Sequence, residues 1–133
     1  MWLDSVAEYL EDNLTGYTRG ASIFTDHLPD SPDSAICVYD GGGNTAPQGP
    51  DCPLAEYVVE VRARSTSRAS ADTLMTLVRG KLHFQSNYTM DGTLKIRWSR
   101  ALSEPSVIEI DSHRRVVFLG RFTLIAERSD LYA

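Results

Sequence analysis

Several groupings of residues have the types that chemistry needs, and each fails on spacing. Gly41-Gly42-Gly43-Asn44 has the glycine content of a phosphate cradle. No lysine–serine/threonine ending closes it and no helical pattern follows, so it reads as a flexible loop. His27, His83 and His113 stand far apart, with no cysteine or carboxylate at metal-ligand spacing, and read as surface or partly buried histidines. Cys37 lies within the apolar run Ile36-Cys37-Val38-Tyr39, where a thiol behaves as a small core hydrophobe rather than a nucleophile. Asp26, Asp30, Asp33 and Asp40 gather round turns, where aspartate accepts local backbone bonds, and lack the spacing of a calcium loop. Trp98, between Arg97 and Arg100, has the composition of a base-stacking site, yet on an alternating strand it is expected to face the core. The expectation is a protein without catalysis, metal or cofactor.

The elements around these residues are well patterned. Leu3, Val6, Ala7, Leu10 and Leu14 recur at helical spacing, with Asp4, Glu8, Glu11 and Asp12 opposite, so 2–13 is predicted to be an amphipathic helix stopped near Gly16. Ala21 to Thr25 and Ile36 to Tyr39 read as short strands separated by the turn Leu28-Pro29-Asp30-Ser31-Pro32-Asp33. In the strand Tyr57 to Ala63, Tyr57, Val59, Val61 and Ala63 face inward, and Val58, Glu60, Arg62 and Arg64 face outward. Ser67 or Ser70 caps a second helix with Ala71, Leu74, Met75, Val78 and Leu82 on one side. Asn87 to Gly92 is read as a connection. Thr93 to Arg100, with Leu94, Ile96 and Trp98 inward, and Arg115 to Glu127 are the closing strands. The fold class is α+β: a mostly antiparallel sheet of about five strands with two amphipathic helices packed on it.

One stretch breaks this regularity. Asp40 to Pro53 carries four glycines and three prolines, which neither a helix nor a ladder accommodates. Hairpin connections run to about 2–5 residues, so this loop either is a flexible arm or is a docking element ordered by a partner. Cys37 and Cys52 flank it, and in a cytoplasmic chain both are expected to be free thiols.

Length and composition bound the rest. The 133 residues, 42% hydrophobic and 23% charged, suit a single domain spanning 1–133. No apolar run approaches the roughly 20 residues of a membrane helix, and Met1-Trp2-Leu3-Asp4 begins no secretory signal. The net charge of −5 is unevenly spread: Arg19 stands alone against eleven acidic residues in 1–60 (−10), whereas 61–133 holds twelve basic and seven acidic residues (+5). Both sets are solvated and mixed in a folded monomer, or they meet head-to-tail in a ring.

The order of elements, and the pair Val38-Tyr39-Asp40-Gly41-Gly42 and Val59-Glu60-Val61-Arg62-Ala63-Arg64, resemble the tail terminator or minor capsid proteins of long-tailed, siphovirus-type bacteriophages. The resemblance covers nearly the whole chain. It implies a structural virion protein, assembled in the host cytoplasm into a homo-oligomeric ring, commonly a hexamer, at the head-proximal end of the tail. Such a ring ends polymerisation of the tail tube protein and joins the head-completion or connector protein. Genomic DNA passes through its lumen without specific binding, and no membrane is involved. On this reading Asp40, Gly41, Gly42, Gly43, Asn44 and Asp51 form a contact loop, and Arg62, Arg64 and Arg68 meet the acidic half of a neighbour. Asp40, Asp51 or the Asp30/Asp33 turn would contribute carboxylates to the lumen.

Three other readings compete. A head-closure or connector adaptor would be similarly small and non-enzymatic. A ligand-binding domain would use the glycine–proline loop as a lid. A cysteine hydrolase would pair Cys37 with His27 or His83.

Overall fold

The periodic apolar residues assemble one curled sheet with two helices in its hollow. A computed structural model of the chain describes residues 2–42, 54–90 and 94–127, so the greater part of the glycine–proline loop, with Gly43, Asn44, Asp51 and Cys52, lies outside the described residues. Helix α1 (Trp2–Asn13) buries Leu3, Val6, Ala7 and Leu10 and leaves its acidic side outward. Its exit turns at Gly16, whose φ of +89° is one that side chains rarely tolerate. Helix α2 (Arg68–Leu82) starts where the Ser67 hydroxyl accepts the Ser70 N–H at 3.1 Å, and buries Ala71, Leu74, Met75, Val78 and Leu82.

The strands are β1 (Ile23–Thr25), β2 (Ala35–Asp40), β3 (Leu54–Ser65), β4 (Gln85–Met90), β5 (Leu94–Ala101), β6 (Ser106–Ile110) and β7 (Val116–Glu127). Their order across the sheet is β1-β2-β3-β7-β5-β4, with β6 also paired to β7. The spine is the twelve-residue antiparallel ladder of β3 on β7, from Leu54↔Glu127 to Ser65↔Val116. β5 and β6 run in succession along the other edge of β7. They are interrupted at Leu102 to Pro105, where the last ladder bond is from Leu102 N–H to the Arg121 carbonyl (2.8 Å).

Two strands were missing from the sequence expectation. β4 occupies much of the stretch read as a connection, and β6 was not anticipated, which raises the count to seven. The first strand is also shorter than expected, because Ala21, Ser22 and Ile23 donate back to the Thr18 carbonyl in a tight turn.

Helix α1 packs on β1 and β2 at one end of the strand order and on β4 at the other, so the sheet must curl round it. Trp2 stacks on Tyr57 at 4.8 Å, and Tyr9 meets Tyr88 of β4 at 5.0 Å while its hydroxyl donates to the Lys81 carbonyl at 3.1 Å. The hollow is filled by Leu10, Ile36, Val59, Val61, Met75, Ile96, Phe122 and Leu124, all fully buried.

β1 and β2 are parallel, so the chain between them must run back along the sheet. Residues 26–34 do this over the outward face, which explains why Cys37, Arg64 and Val117, all outward-pointing, are buried at that end.

Candidate interaction surfaces

The returning segment is fastened by two arginines. Arg115, just before β7, has a side chain only 6% exposed. Its guanidinium donates to the Asp30 carbonyl, to Asp30 Oδ1 (2.8 Å), to Asp33 Oδ1 (3.4 Å) and to Asp111 Oδ2 (2.7 Å). Arg64 on β3 donates to the carbonyls of Pro32 (2.5 Å) and Asp33 (3.3 Å). The Arg115 hydrogen bond and charge hold the Asp30 carboxyl below its ordinary pKa. Desolvation alone would raise Asp111, but bonds from the Arg115 backbone and side chain and from the His113 backbone outweigh it and lower its pKa. The assembly is a structural clamp.

Arg64, expected on sequence grounds to face a neighbour, is therefore buried and engaged within its own chain. Arg62 is half-buried, 4.7 Å above the Tyr39 ring and 3.1 Å from Glu60. Burial pushes the Tyr39 hydroxyl to about 12. Arg68 is exposed at the start of α2. The structure does not bring the three together as one basic patch.

At the rim of the glycine–proline loop the described residues are ordered by β3. Asp40 ends β2, and its Oδ1 accepts the Gly42 N–H at 2.9 Å. Gly41 donates to the Val58 carbonyl at 2.7 Å and accepts from Arg121 at 2.8 Å. A Cβ on Gly41 would lie 2.7 Å from Val58 Cγ1 and 2.9 Å from Val58 O, so only glycine fits this close approach.

Cys37 is free and fully buried, and desolvation pushes its thiol up, away from the thiolate a hydrolase would need. His83 does not face it: its Nδ1 accepts the Ala101 N–H at 2.9 Å. Among the described residues no group of His, Cys, Asp or Glu is arranged to hold a metal ion, and no helix is long and apolar enough to cross a membrane. A groove of about 300 Å³ runs between α2 and Glu104–Pro105, but its charged groups, Arg79 and Glu104, reach towards each other at 3.4 Å.

Arg19 lies against the acidic side of α1. Its guanidinium is 3.8 Å from Asp4 and 3.9 Å from Glu8, and its backbone N–H donates to Glu11 at 2.7 Å. On the other side of the molecule, Trp98 corrects an expectation. A bulge between Ile96 and Trp98 moves it out of the inward series, so it is 41% exposed with the Arg100 guanidinium 5.7 Å from its ring. Arg115 and Arg121 make contacts that sequence reasoning overlooked, and Arg100 was noted only as a neighbour of Trp98. Their type was visible, but which carbonyl or ring each would meet was not.

Set against known proteins, the chain matches a family model described as bacteriophage tail terminator protein over residues 9–128. Among solved structures it is similar to a chain from the virion of a native gene transfer agent particle, at 12% identity, over 92% of this chain and 93% of that one, with a TM-score of 0.62. A second solved chain matches at 10% identity over 93% of this chain and 94% of that one, with a TM-score of 0.56. At such identities these likenesses show the fold. No curated protein sequence matches.

Proposed function

The chain belongs to the bacteriophage tail terminator family, structural proteins of the phage tail or neck, and from that premise we propose that it ends tail-tube growth as a homo-oligomeric ring, a hexamer, at the head-proximal end of the tail. The observation that carries this reading is the family match across residues 9–128. The ring caps the last layer of tail tube protein, offers its other face to the head-completion or connector protein, and lets genomic DNA pass through its lumen. It does so without catalysis. It is assembled in the host cytoplasm and remains in the virion. The rim residues Asp40, Gly41 and Gly42, with Gly43, Asn44 and Asp51 beyond them, form the contact loop, Arg68 contributes exposed charge, and Arg62 contributes through the half-buried edge it shares with Glu60.

Particles made without this chain should carry tails of uncontrolled length that fail to join heads, measured by electron microscopy. Supplying the intact chain should restore uniform joined tails. Tails of normal length in its absence would overturn the proposal. A chain lacking residues 42–49 should fold, by circular dichroism, yet leave the defect unrepaired, because loops on a rigid scaffold carry contacts. Full repair by the shortened chain would remove the loop from the interface.

A lumen that lets DNA slide cannot grip phosphates, since each Lys or Arg contact adds salt-dependent affinity. The isolated protein is therefore expected to show negligible duplex binding at physiological salt. A dissociation constant tighter than about 1 μM, beyond the non-specific range, would point instead to a DNA-binding role.

A further inference from the structure

We propose that the outward sheet face around Trp98 and Arg100 docks on the acidic side of α1 from a second copy of this chain; the contact rests on the ring reading above.

The register defines this face rung by rung. Outward-pointing Trp98 lies beside Ile125 and Glu56, Arg100 beside Thr123 and Val58, and Leu102 beside Arg121 and Glu60. The segment 26–34 covers the far end of the same face, and among the described residues neither helix lies on this end. Trp98 is held outward by a bulge, a device that re-aims a side chain and recurs where a strand serves a function. A tryptophan and arginines around a partly apolar centre are the composition of interface hot spots.

The second observation is the hydroxyl of Thr123. Its residue is 3% exposed, and Oγ1 has no hydrogen-bond partner among the described residues. A buried polar group left unpaired is costly, and an acceptor or donor brought by another molecule removes that cost.

Charge selects the occupant. Lys95 and Arg97 share one carboxylate, Glu127, at 3.7 and 3.3 Å; with the exposed Arg100 and Arg121 they make four cations against Glu127, Glu56 and Glu60, so the patch carries a basic excess of one, concentrated on β5. On α1, Asp4 and Glu8 lie near the Arg19 guanidinium, and Glu11 accepts the Arg19 backbone N–H; with Asp12 exposed beside them, that side is acidic. The helix packs in the hollow of the sheet and the basic rungs point out of its back, so one chain cannot join its own two patches. Two copies can, and a contact between different faces repeats into a closed ring when the rotation allows.

Charge reversal tests this in the full-length protein, by sedimentation velocity and native mass spectrometry at physiological salt. The wild type is expected to assemble, and to weaken at least tenfold from about 0.1 M to about 1 M salt, as the Debye length falls from about 10 Å to about 3 Å. Arg97→Glu with Arg100→Glu should give a folded monomer, and so should Glu8→Arg with Asp12→Arg. An equimolar mixture of these two variants should assemble again, because each reversed face then meets its complement. Trp98→Ser, with charges untouched, should also weaken assembly at least tenfold. Assembly unchanged in the Arg97/Arg100 variant, a mixture that stays monomeric, or a monomeric wild type would each overturn the contact. A chain that assembles through this face but leaves tail length uncontrolled would overturn the proposed function and leave the contact standing.

Discussion

Replacing Phe122 with alanine is expected to lower the free energy of unfolding by roughly 3–5 kcal/mol, as truncation of a buried aromatic ring does when the cavity cannot close. Phe122 is fully buried on β7, the strand flanked by β3 on one side and β5 and β6 on the other. Its ring fills the space over Gly120, where an added Cβ would come within 3.0 Å of both the Phe122 ring and the Met75 sulfur of α2. Ring, glycine and methionine form one fitted layer between helix and sheet. With net domain stabilities near 5–15 kcal/mol, the loss removes a large share of the total. Urea unfolding followed by circular dichroism measures it. A fall below about 1 kcal/mol would mean that the layer relaxes and is not the centre of the core.

The second large effect is expected from Arg115→Met. The substitution keeps the side chain's length and removes the guanidinium that ties Asp30 and Asp33 to Asp111 and the start of β7, leaving Asp30 its 3.8 Å contact with His113. The melting temperature should drop by on the order of 5 °C, because the segment loses its hydrogen bonds to a buried guanidinium while the Asp30 and Asp33 carboxylates stay solvated. The segment 26–34 should loosen, and Cys37 beneath it should react faster with a thiol reagent in a Cys52→Ser background. Unchanged labelling would show that Arg64 holds the segment alone. The pH dependence carries the same information. Asp30 and Asp111 have lower pKa values folded than their ordinary one, so their stabilisation is complete above the unfolded value near 4 and is lost as pH falls below it. Arg115→Met should flatten that acid-side slope. An unaltered slope would place it elsewhere.

Family membership makes these stability effects relevant to assembly. In the ring proposed above a subunit presents rigid surfaces, and both the fitted layer at Phe122 and the Arg115 clamp set how the outward face is shaped. The Trp98 patch lies beyond the clamp on that same face.

What could be read from the chain divides along a physical line. The two helices, the Ser67 cap and the strands β2, β3 and β7 follow from apolar residues recurring with period 3.6 or 2, a property of near neighbours. The family strings around Gly41 were equally local, but the demand for glycine there was not, because it comes from Val58 on the paired strand. β4 was missed because Gln85-Ser86-Asn87-Tyr88-Thr89-Met90 is polar and contains Asn87 at a φ of +52°, and its strand character comes from pairing with β5. β6 was missed for a related reason: Ser106 to Ile110 alternates weakly, and only the edge of β7 makes it a strand. Trp98 was placed inward because alternation was counted through it; a single bulge, itself set by the fit of β5 to β7, reversed its side. Arg64 and Arg115 look like surface charges in the sequence. The parallel pairing of β1 with β2 buries them, because it forces the chain back across the sheet and brings carbonyls and carboxylates from more than thirty residues away to their guanidinium groups.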